Sequence, residues 1–540
     1  MIKVDKYSIL IVLVLLLSIA FTFLFVVAGF GNHMDPFYWM GLCEEYHTGF
    51  MTIGAIALGS AWIHIFGASV FTMRLLGWLL CIAALAIPYC CLLDKEQRLQ
   101  NLHWLALCYC LLGYGVFQEY SPGTLSVFLC SVLATLWILY LRDRRWIYAI
   151  PLVVAMAIVA RFPNVVVLLF LSILLPIYGV LKHRESKLII LDESILLLGS
   201  VLLTGLLYLI LGVDMSLSGF TEGFSSQASG EHSLLLMMQT LISKGINLLI
   251  WVAVIMVFGY VCSCVGKLQN KWLRWGSSIG LAILFGLFLY YTFSWKDWYN
   301  MKLHYFLSSI TIAIAIYVII QLAKDKNPMG IFVAISFLLI GCVIPLGSDT
   351  AWLKLFPIYL CFIPVMVGLY MSHLSWIKYL YPSLAILCGF VMITYCFNPI
   401  GSKSLFQGKI FGTQPLYHHI FIPKYADDYL NQLSADFDEY GAKDNTIVVG
   451  DGAHLCAQLT KAQTLQQFGF WSNLDDSVYV SKVSSYIDEK RPVVFCVHTP
   501  WFVYKDENIG QSLFETMLRR KEYQEINREE HLYMIYLPHE

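Results

Sequence analysis

The stretch FMTIGAIALGSAWIHIF, residues 50–66, decides the topology of this chain. It is apolar and nearly as long as the roughly 20 residues that cross a bilayer. If it crosses, every later loop changes sides. About 13 other apolar spans are expected, at 8–30, 73–93, 102–118, 123–141, 147–162, 164–181, 195–213, 245–266, 277–293, 306–323, 329–346, 354–371 and 379–397. The first of them is longer than the roughly 7–15 residues of a signal-peptide core, so it reads as an anchor that stays.

Charge arbitrates, because cytoplasmic loops carry the excess of Lys and Arg. With 50–66 uncrossed and the N-terminus inside, RDRR (142–145), KHRESK (182–187), Lys95, Arg98, Lys267, Lys271, Arg274, Lys324 and Lys326 all fall inside. The outer loops between spans hold only Arg74, Arg161, Lys244, Lys296, Lys302 and Lys354. Crossing at 50–66 would turn both basic clusters outward. Residues 36–70 are therefore expected to form one long outer loop, with amphipathic helices on the membrane surface.

The composition agrees with a polytopic membrane protein. The 540 residues are 58% hydrophobic and 13% charged, against about 25% charged in soluble proteins. A net charge of −1 offers no basic surplus for phosphate neutralisation, so no nucleic-acid partner is expected. The 15 cysteines are scattered, mostly as small buried hydrophobes. Cys456 and Cys496 are a candidate disulfide. After about residue 400 charge becomes dense. Strands are expected at NTIVVG (445–450) and RPVVFCVH (491–498), and helices at 424–440, 478–490 and 510–522. The expected organisation is a helical membrane domain over 1–399, with its first outer loop at 31–72, and an outer soluble α/β domain over 400–540.

Titratable groups gather on the outer face. Asp35 follows the first span and precedes Pro36, which disfavours helix at that point. It is either a carboxylate base at the membrane boundary or a cap for the helix that follows. Glu44, Glu45 and His47 sit together in EEYHTG. No second histidine completes a ligand spacing, so no metal is assigned and a divalent ion stays an alternative. Glu119, Asp349 in PLGSDTAWLK (345–354) and the loop 214–231 complete the acidic set. The loop SWKDWYNMKLHY (294–305) interleaves aromatics with Lys296, Lys302 and His304. It is either an aromatic belt or a lipid-phosphate site. Arg74 and Arg161 lie where spans meet the outer surface, placed to snorkel or to hold a phosphate in bidentate fashion.

These pieces resemble the GT-C glycosyltransferases, and within them the glycosyltransferase family 39 branch of protein O-mannosyltransferases and lipid A aminoarabinose transferases. The resemblance rests on Asp35 soon after the first span and on WIHIFGASVFTMRLLGWLL (62–80), with Gly67, Ser69 and Arg74 in an apolar–G–x–S–x–x–x–x–R pattern. By motif it covers 1–180, and beyond that topology alone. The family's Asp-Glu pair is Asp35-Pro36 here, so the second carboxylate is missing at that spot.

The resemblance implies a multi-pass enzyme of the bacterial inner membrane with a cytoplasmic N-terminus and a periplasmic C-terminal domain. It would move a sugar from a polyprenyl-phosphate donor to a lipid, glycan or protein acceptor, with inversion; no cofactor is assigned, and a divalent metal stays an alternative. Asp35 would be the general base. Arg74, Arg161, Lys296, Lys302 and His304 would hold the donor phosphate. Glu44, Glu45, His47, Glu119 and Asp349 would support the site or bind acceptor. The rival functions are a flippase or transporter of lipid-linked glycans, a ligase or polymerase of such glycans, and a non-enzymatic assembly protein.

Overall fold

The computed structural model describes residues 6–27, 34–46, 49–113, 119–214, 216, 234–292, 301–346, 355–370, 376–377, 379–386, 389, 409–441, 445–450, 452–464, 474, 477–497, 512–528 and 533–539. The chain forms two compact units. One comprises Met1–Val26, His47–Leu58 and Arg74–Thr394; the other comprises Val27–Tyr46, Gly59–Met73 and Tyr395–Glu540.

The first unit is helical. Its main helices are α1 (Lys6–Val27), α4 (Val70–Leu92), α5 (Lys95–Gly113), α6 (Pro122–Arg142), α7 (Ile150–Ala160), α8 (Val166–Leu181), α9 (Ser186–Ile210), α10 (Leu234–Gly266), α11 (Lys271–Thr292), α12 (Met301–Lys324), α13 (Pro328–Gly341) and α14 (Leu355–Tyr370). Two shorter helices precede α4 in the chain: α2 (Met34–Glu45), which belongs to the second unit, and α3 (Ile53–Phe66), whose residues divide between the units after Leu58. A helix lies over each of the first twelve expected spans. The thirteenth starts with helical residues 379–386, and its remainder lies largely outside the described residues. Among the described residues, six helices are long and apolar enough to cross a membrane. The protein is a helical, multi-pass membrane protein.

Helix α3 covers the deciding stretch. Its 14 residues reach about 21 Å at 1.5 Å per residue, short of a hydrocarbon core of about 30 Å. Helix α7 is also short, with 11 residues. Pro151 opens it, and the chain breaks in extended backbone at Arg161 before a short 3-10 turn over Phe162–Val165 that carries Pro163 near its start.

Polar contacts tie the helices together. Trp137 Nε1 of α6 donates to Ser336 Oγ of α13 at 3.1 Å. Thr311 Oγ1 of α12 donates to the Tyr359 carbonyl of α14 at 3.0 Å. In a membrane such bonds are worth roughly 0.6–2 kcal/mol each. At the end where α6 begins and α7 ends, residues 51–55 are pinned. The Phe162 N–H donates to the Met51 carbonyl at 2.9 Å, and the Tyr120 hydroxyl donates to the Ala55 carbonyl. Gly54 permits this approach, because a Cβ there would meet the Val159 carbonyl carbon at 2.9 Å.

The opposite end of the same helices carries the basic loops. Arg142 Nη2 donates to the Leu92 carbonyl at 2.9 Å. Arg144 and Arg184 meet the buried Asp192 there.

In the second unit, residues 409–539 contain α15 (Lys424–Tyr440), α16 (Ala453–Thr460), α17 (Ser477–Lys490) and α18 (Leu513–Arg520). Strands β1 (Lys409–Phe411) and β2 (Phe421–Pro423) pair antiparallel. Strands β3 (Thr446–Val449), β4 (Gln463–Thr464), β5 (Val493–Val497), β6 (Tyr523–Arg528) and β7 (Tyr533–Pro538) form one sheet in the order β4-β3-β5-β7-β6. Strand β3 runs parallel to both β4 and β5, whereas β7 runs antiparallel to β5 and β6. The region is α/β. Its core packs Val449, Val494, Cys496, Phe514, Leu518 and Tyr536. Cys456 and Cys496 are buried thiols on α16 and β5, and the candidate disulfide between them is not formed.

Candidate active site

The G-x-S turn builds the start of α4. The Gly67 N–H donates to the Ile63 carbonyl at 2.7 Å, and Gly67 takes φ +83°, a left-handed end to α3 that a Cβ penalises. Ser69 and Thr72 then cap α4 reciprocally. The Thr72 N–H donates to Ser69 Oγ at 3.2 Å, and the Ser69 N–H donates to Thr72 Oγ1 at 3.1 Å. This is a capping box with threonine in the third helical position. Thr72 Oγ1 also donates back to the Gly67 carbonyl at 2.7 Å, and Trp62 Nε1 donates to the Thr72 carbonyl at 2.8 Å. Arg74 follows in the next residues of the helix.

Arg74 is 6% exposed. Its Nε and Nη2 both donate to Glu119 Oε1, at 3.1 and 3.0 Å. Glu119 sits just before α6. Ser121 caps that helix by accepting from the Thr124 N–H at 3.2 Å, and Thr124 Oγ1 donates to the Glu119 carbonyl at 2.8 Å. Two helix starts thus hold the pair, one supplying the cation and the other the carboxylate.

Arg161, 8% exposed, lies where α7 ends, in extended backbone. Its Nη1 donates to the Ile344 carbonyl and its Nη2 to the Leu346 carbonyl, both at 2.6 Å. These carbonyls lie in the turn after α13, where helix-end acceptors lack intrahelical donors. Close by, Asn164 Nδ2 donates to Ser126 Oγ at 2.9 Å and to the Ala157 carbonyl at 2.8 Å.

In the second unit, α2 carries the acidic segment and packs against α16. Phe37, Met40 and Cys43 of α2 are buried. The Phe37 ring lies 6.2 Å from that of Tyr417, and the Tyr38 ring lies 5.2 Å from that of His454. Glu44 binds Lys461 Nζ through both carboxylate oxygens, at 3.1 and 3.0 Å. Gln458, with its amide turned to satisfy both partners, donates to Glu44 Oε2 at 2.9 Å and accepts from the Gly41 N–H at 3.3 Å. Glu45 is exposed. Burial, and less so the Glu44 charge, pushes the Cys43 thiol up to about 12. Lys461 and Gln458 escaped the sequence reading because they lie more than 400 residues after Glu44, at the end of a helix with no motif of its own.

The described residues include the helical backbone of Asp35, near the start of α2, and of Lys302 and His304 in the first turn of α12, but not these side chains. His47, Lys296 and Asp349 lie outside the described residues. Among the described residues, no group of three or more His, Cys, Asp and Glu side chains is placed to hold a metal.

No family model and no curated protein matches the chain. Solved structures do show a distant likeness. ArnT from Cupriavidus metallidurans in the apo state is 10% identical, with a TM-score of 0.44 over 98% of this chain and 98% of that one. The same protein bound to undecaprenyl phosphate is 11% identical, with a TM-score of 0.43 over 98% and 97%. The archaeal oligosaccharyltransferase AglB from Archaeoglobus fulgidus, in complex with an inhibitory peptide and a dolichol-phosphate, is 9% identical, with a TM-score of 0.48 over 92% and 70%.

Proposed function

We propose that the chain is a membrane glycosyltransferase that moves a sugar from a polyprenyl phosphate to an acceptor nucleophile on the extracytoplasmic side. The supporting observation is Arg74: a buried arginine, oriented by Glu119 and brought by the Gly67–Ser69 turn to the start of a membrane-length helix. The Asp35 and G-x-S-x-x-x-x-R resemblance points the same way. The gathering of RDRR and KHRESK at the other end of the helices supports the outward placement of the Arg74 end.

The chemistry uses few groups. The acceptor oxygen attacks the anomeric carbon, and the bond from that carbon to the phosphate oxygen breaks. The phosphate leaves as an anion, so it needs positive charge rather than a proton. That task falls to Arg74, with Arg161, Lys296, Lys302 and His304 as further candidates. The acceptor hydroxyl loses its proton to Asp35. One displacement on the opposite face inverts the anomeric centre. Glu44, Glu45, His47, Glu119 and Asp349 support the site or the acceptor, and Glu119 does so by orienting Arg74. The sugar is a pentose or hexose.

The test is reconstitution with polyprenyl-phosphate sugars, comparing sugar release and transfer in wild type and Asp35→Asn. A loss of about 10²–10⁴ in turnover with intact folding fits a general base. Unchanged turnover removes Asp35 from the reaction. Label crossing the bilayer with its phosphate bond unbroken would instead make the protein a flippase.

A further inference from the structure

The end of the membrane unit opposite Arg74 holds a built polar centre that the reaction does not use. Asp192 of α9 is fully buried. Its Oδ1 accepts from Arg144 Nε at 2.9 Å, with Arg144 Nη2 at 2.7 Å. Its Oδ2 accepts from the Tyr140 hydroxyl at 2.8 Å and from Arg184 Nη1 at 3.3 Å. Arg184 Nη1 also donates to the Tyr140 oxygen at 3.0 Å and Nη2 to the Tyr178 oxygen at 3.2 Å, while the guanidinium lies over both rings. One buried carboxylate therefore faces two guanidiniums, and a positive charge is left over.

The excess points outward. Arg144 is one-third exposed, and Arg145 beside it is 91% exposed. The ion pair of Arg145 with Asp143 is long, at 3.9 Å, and itself exposed. Trp146 and Tyr148 are exposed at 40% and 64%. Beyond Tyr148, at four-residue intervals, come the exposed Leu152 and Met156 of α7. On α9 the exposed Ile190 and Leu191 immediately precede Asp192. A fixed cation with an exposed one beside it, then aromatic rings, then an apolar stripe match, in the same order, the parts of one lipid molecule: an anionic phosphate, an interfacial glycerol and an acyl chain. A soluble anion would match the cations and leave the aromatic and apolar part unused.

We propose that this centre is a binding site for an anionic membrane phospholipid, its phosphate held by Arg144 and Arg145 and an acyl chain lying along Tyr148, Leu152 and Met156. Asp192 is the positioning residue that fixes Arg144 and Arg184.

The probe is the full chain in nanodiscs of phosphatidylcholine with a minor share of phosphatidylglycerol, released into native mass spectrometry. Wild type is expected to retain phosphatidylglycerol in preference to phosphatidylcholine. Arg145→Ala, at an exposed position that cannot unfold the unit, is expected to cut that preference about fivefold, the worth of one cation near an anionic surface. Arg144→Ala should cut it at least as far. Arg520→Ala removes an exposed charge in the other unit and should leave the preference unchanged. Equal retention of the two lipids by wild type overturns the proposal. So does an unchanged preference in Arg145→Ala, or a loss in Arg520→Ala as large as that in Arg145→Ala.

Discussion

Removing Glu119 should cost more than removing Glu119 and Arg74 together. The two side chains are 15% and 7% exposed, and the Nε and Nη2 of Arg74 each donate to one Glu119 oxygen, at 3.1 and 3.0 Å. Glu119→Leu leaves Arg74 charged, shielded from water and without its carboxylate. Breaking one partner of a buried pair costs about 3–5 kcal/mol, and the residual exposure of Glu119 places the loss near 3. Arg74→Leu strands the carboxylate, which reaches water more easily, so about 2 kcal/mol is expected on the same grounds. The double variant replaces two charges by apolar groups, an exchange that is often neutral or better. The cycle should therefore return a coupling of at least about 2 kcal/mol, large for neighbours in contact. The assay is reversible unfolding in mixed detergent and dodecyl sulfate micelles, followed by tryptophan fluorescence. Single losses that simply add in the double variant would show that Arg74 and Glu119 do not depend on each other. The account of Glu119 as the group that orients Arg74 would then fall.

Three further outcomes follow from the geometry. Exchanging charges across Glu44–Lys461 should separate the pair from general folding: amide hydrogen exchange in α2 should rise in Lys461→Glu and return towards wild type in Glu44→Lys/Lys461→Glu. The effect is modest, because exposed pairs are worth about 0–1 kcal/mol, and equal exchange in all three proteins would mean that the contact orders nothing. Gly67→Ala should destabilise by roughly 1–2 kcal/mol from left-handed backbone alone, since nothing lies within 4 Å of the added carbon. Gly205→Ala, helical and equally unobstructed, should be neutral or stabilising, and matching unfolding midpoints for the two variants would contradict this sign difference. Burial also pushes the Cys456 thiol up to about 12. The thiolate is the reactive form, so Cys43 and Cys456 should resist alkylation in the native protein near neutral pH and label only on unfolding. Rapid native labelling mapped to either residue by mass spectrometry would overturn the packing of α2 and α16.

The helices were legible in the sequence because the bilayer imposes a length and a polarity on each segment separately. Runs of about 20 apolar residues declare themselves without reference to any neighbour, and observed helices lie over the expected spans. Local chemistry was legible as well. Gly67, Ser69 and Arg74 stood out as a motif, and the Gly67 and Ser69 part of it is closed by bonds spanning five residues or fewer. Strands β3 and β5 announced themselves as β-branched runs. Strands β6 and β7 did not, since YQEINR and YMIYLP are held by pairing with each other and with β5 rather than by composition.

What the order of residues left open was partnership. Arg74 and Arg161 look alike in sequence, both being arginines at span ends. Folding gives Arg74 a carboxylate 45 residues away and Arg161 two carbonyls more than 180 residues away. Glu44 and Glu45 are adjacent, yet Glu44 binds Lys461, 417 residues on, while Glu45 faces solvent. Hydrophobic length is a property of one segment, so the sequence determined where the helices lie. A charge acquires its role only from what stands within about 4 Å of it, and packing between distant segments alone decides that.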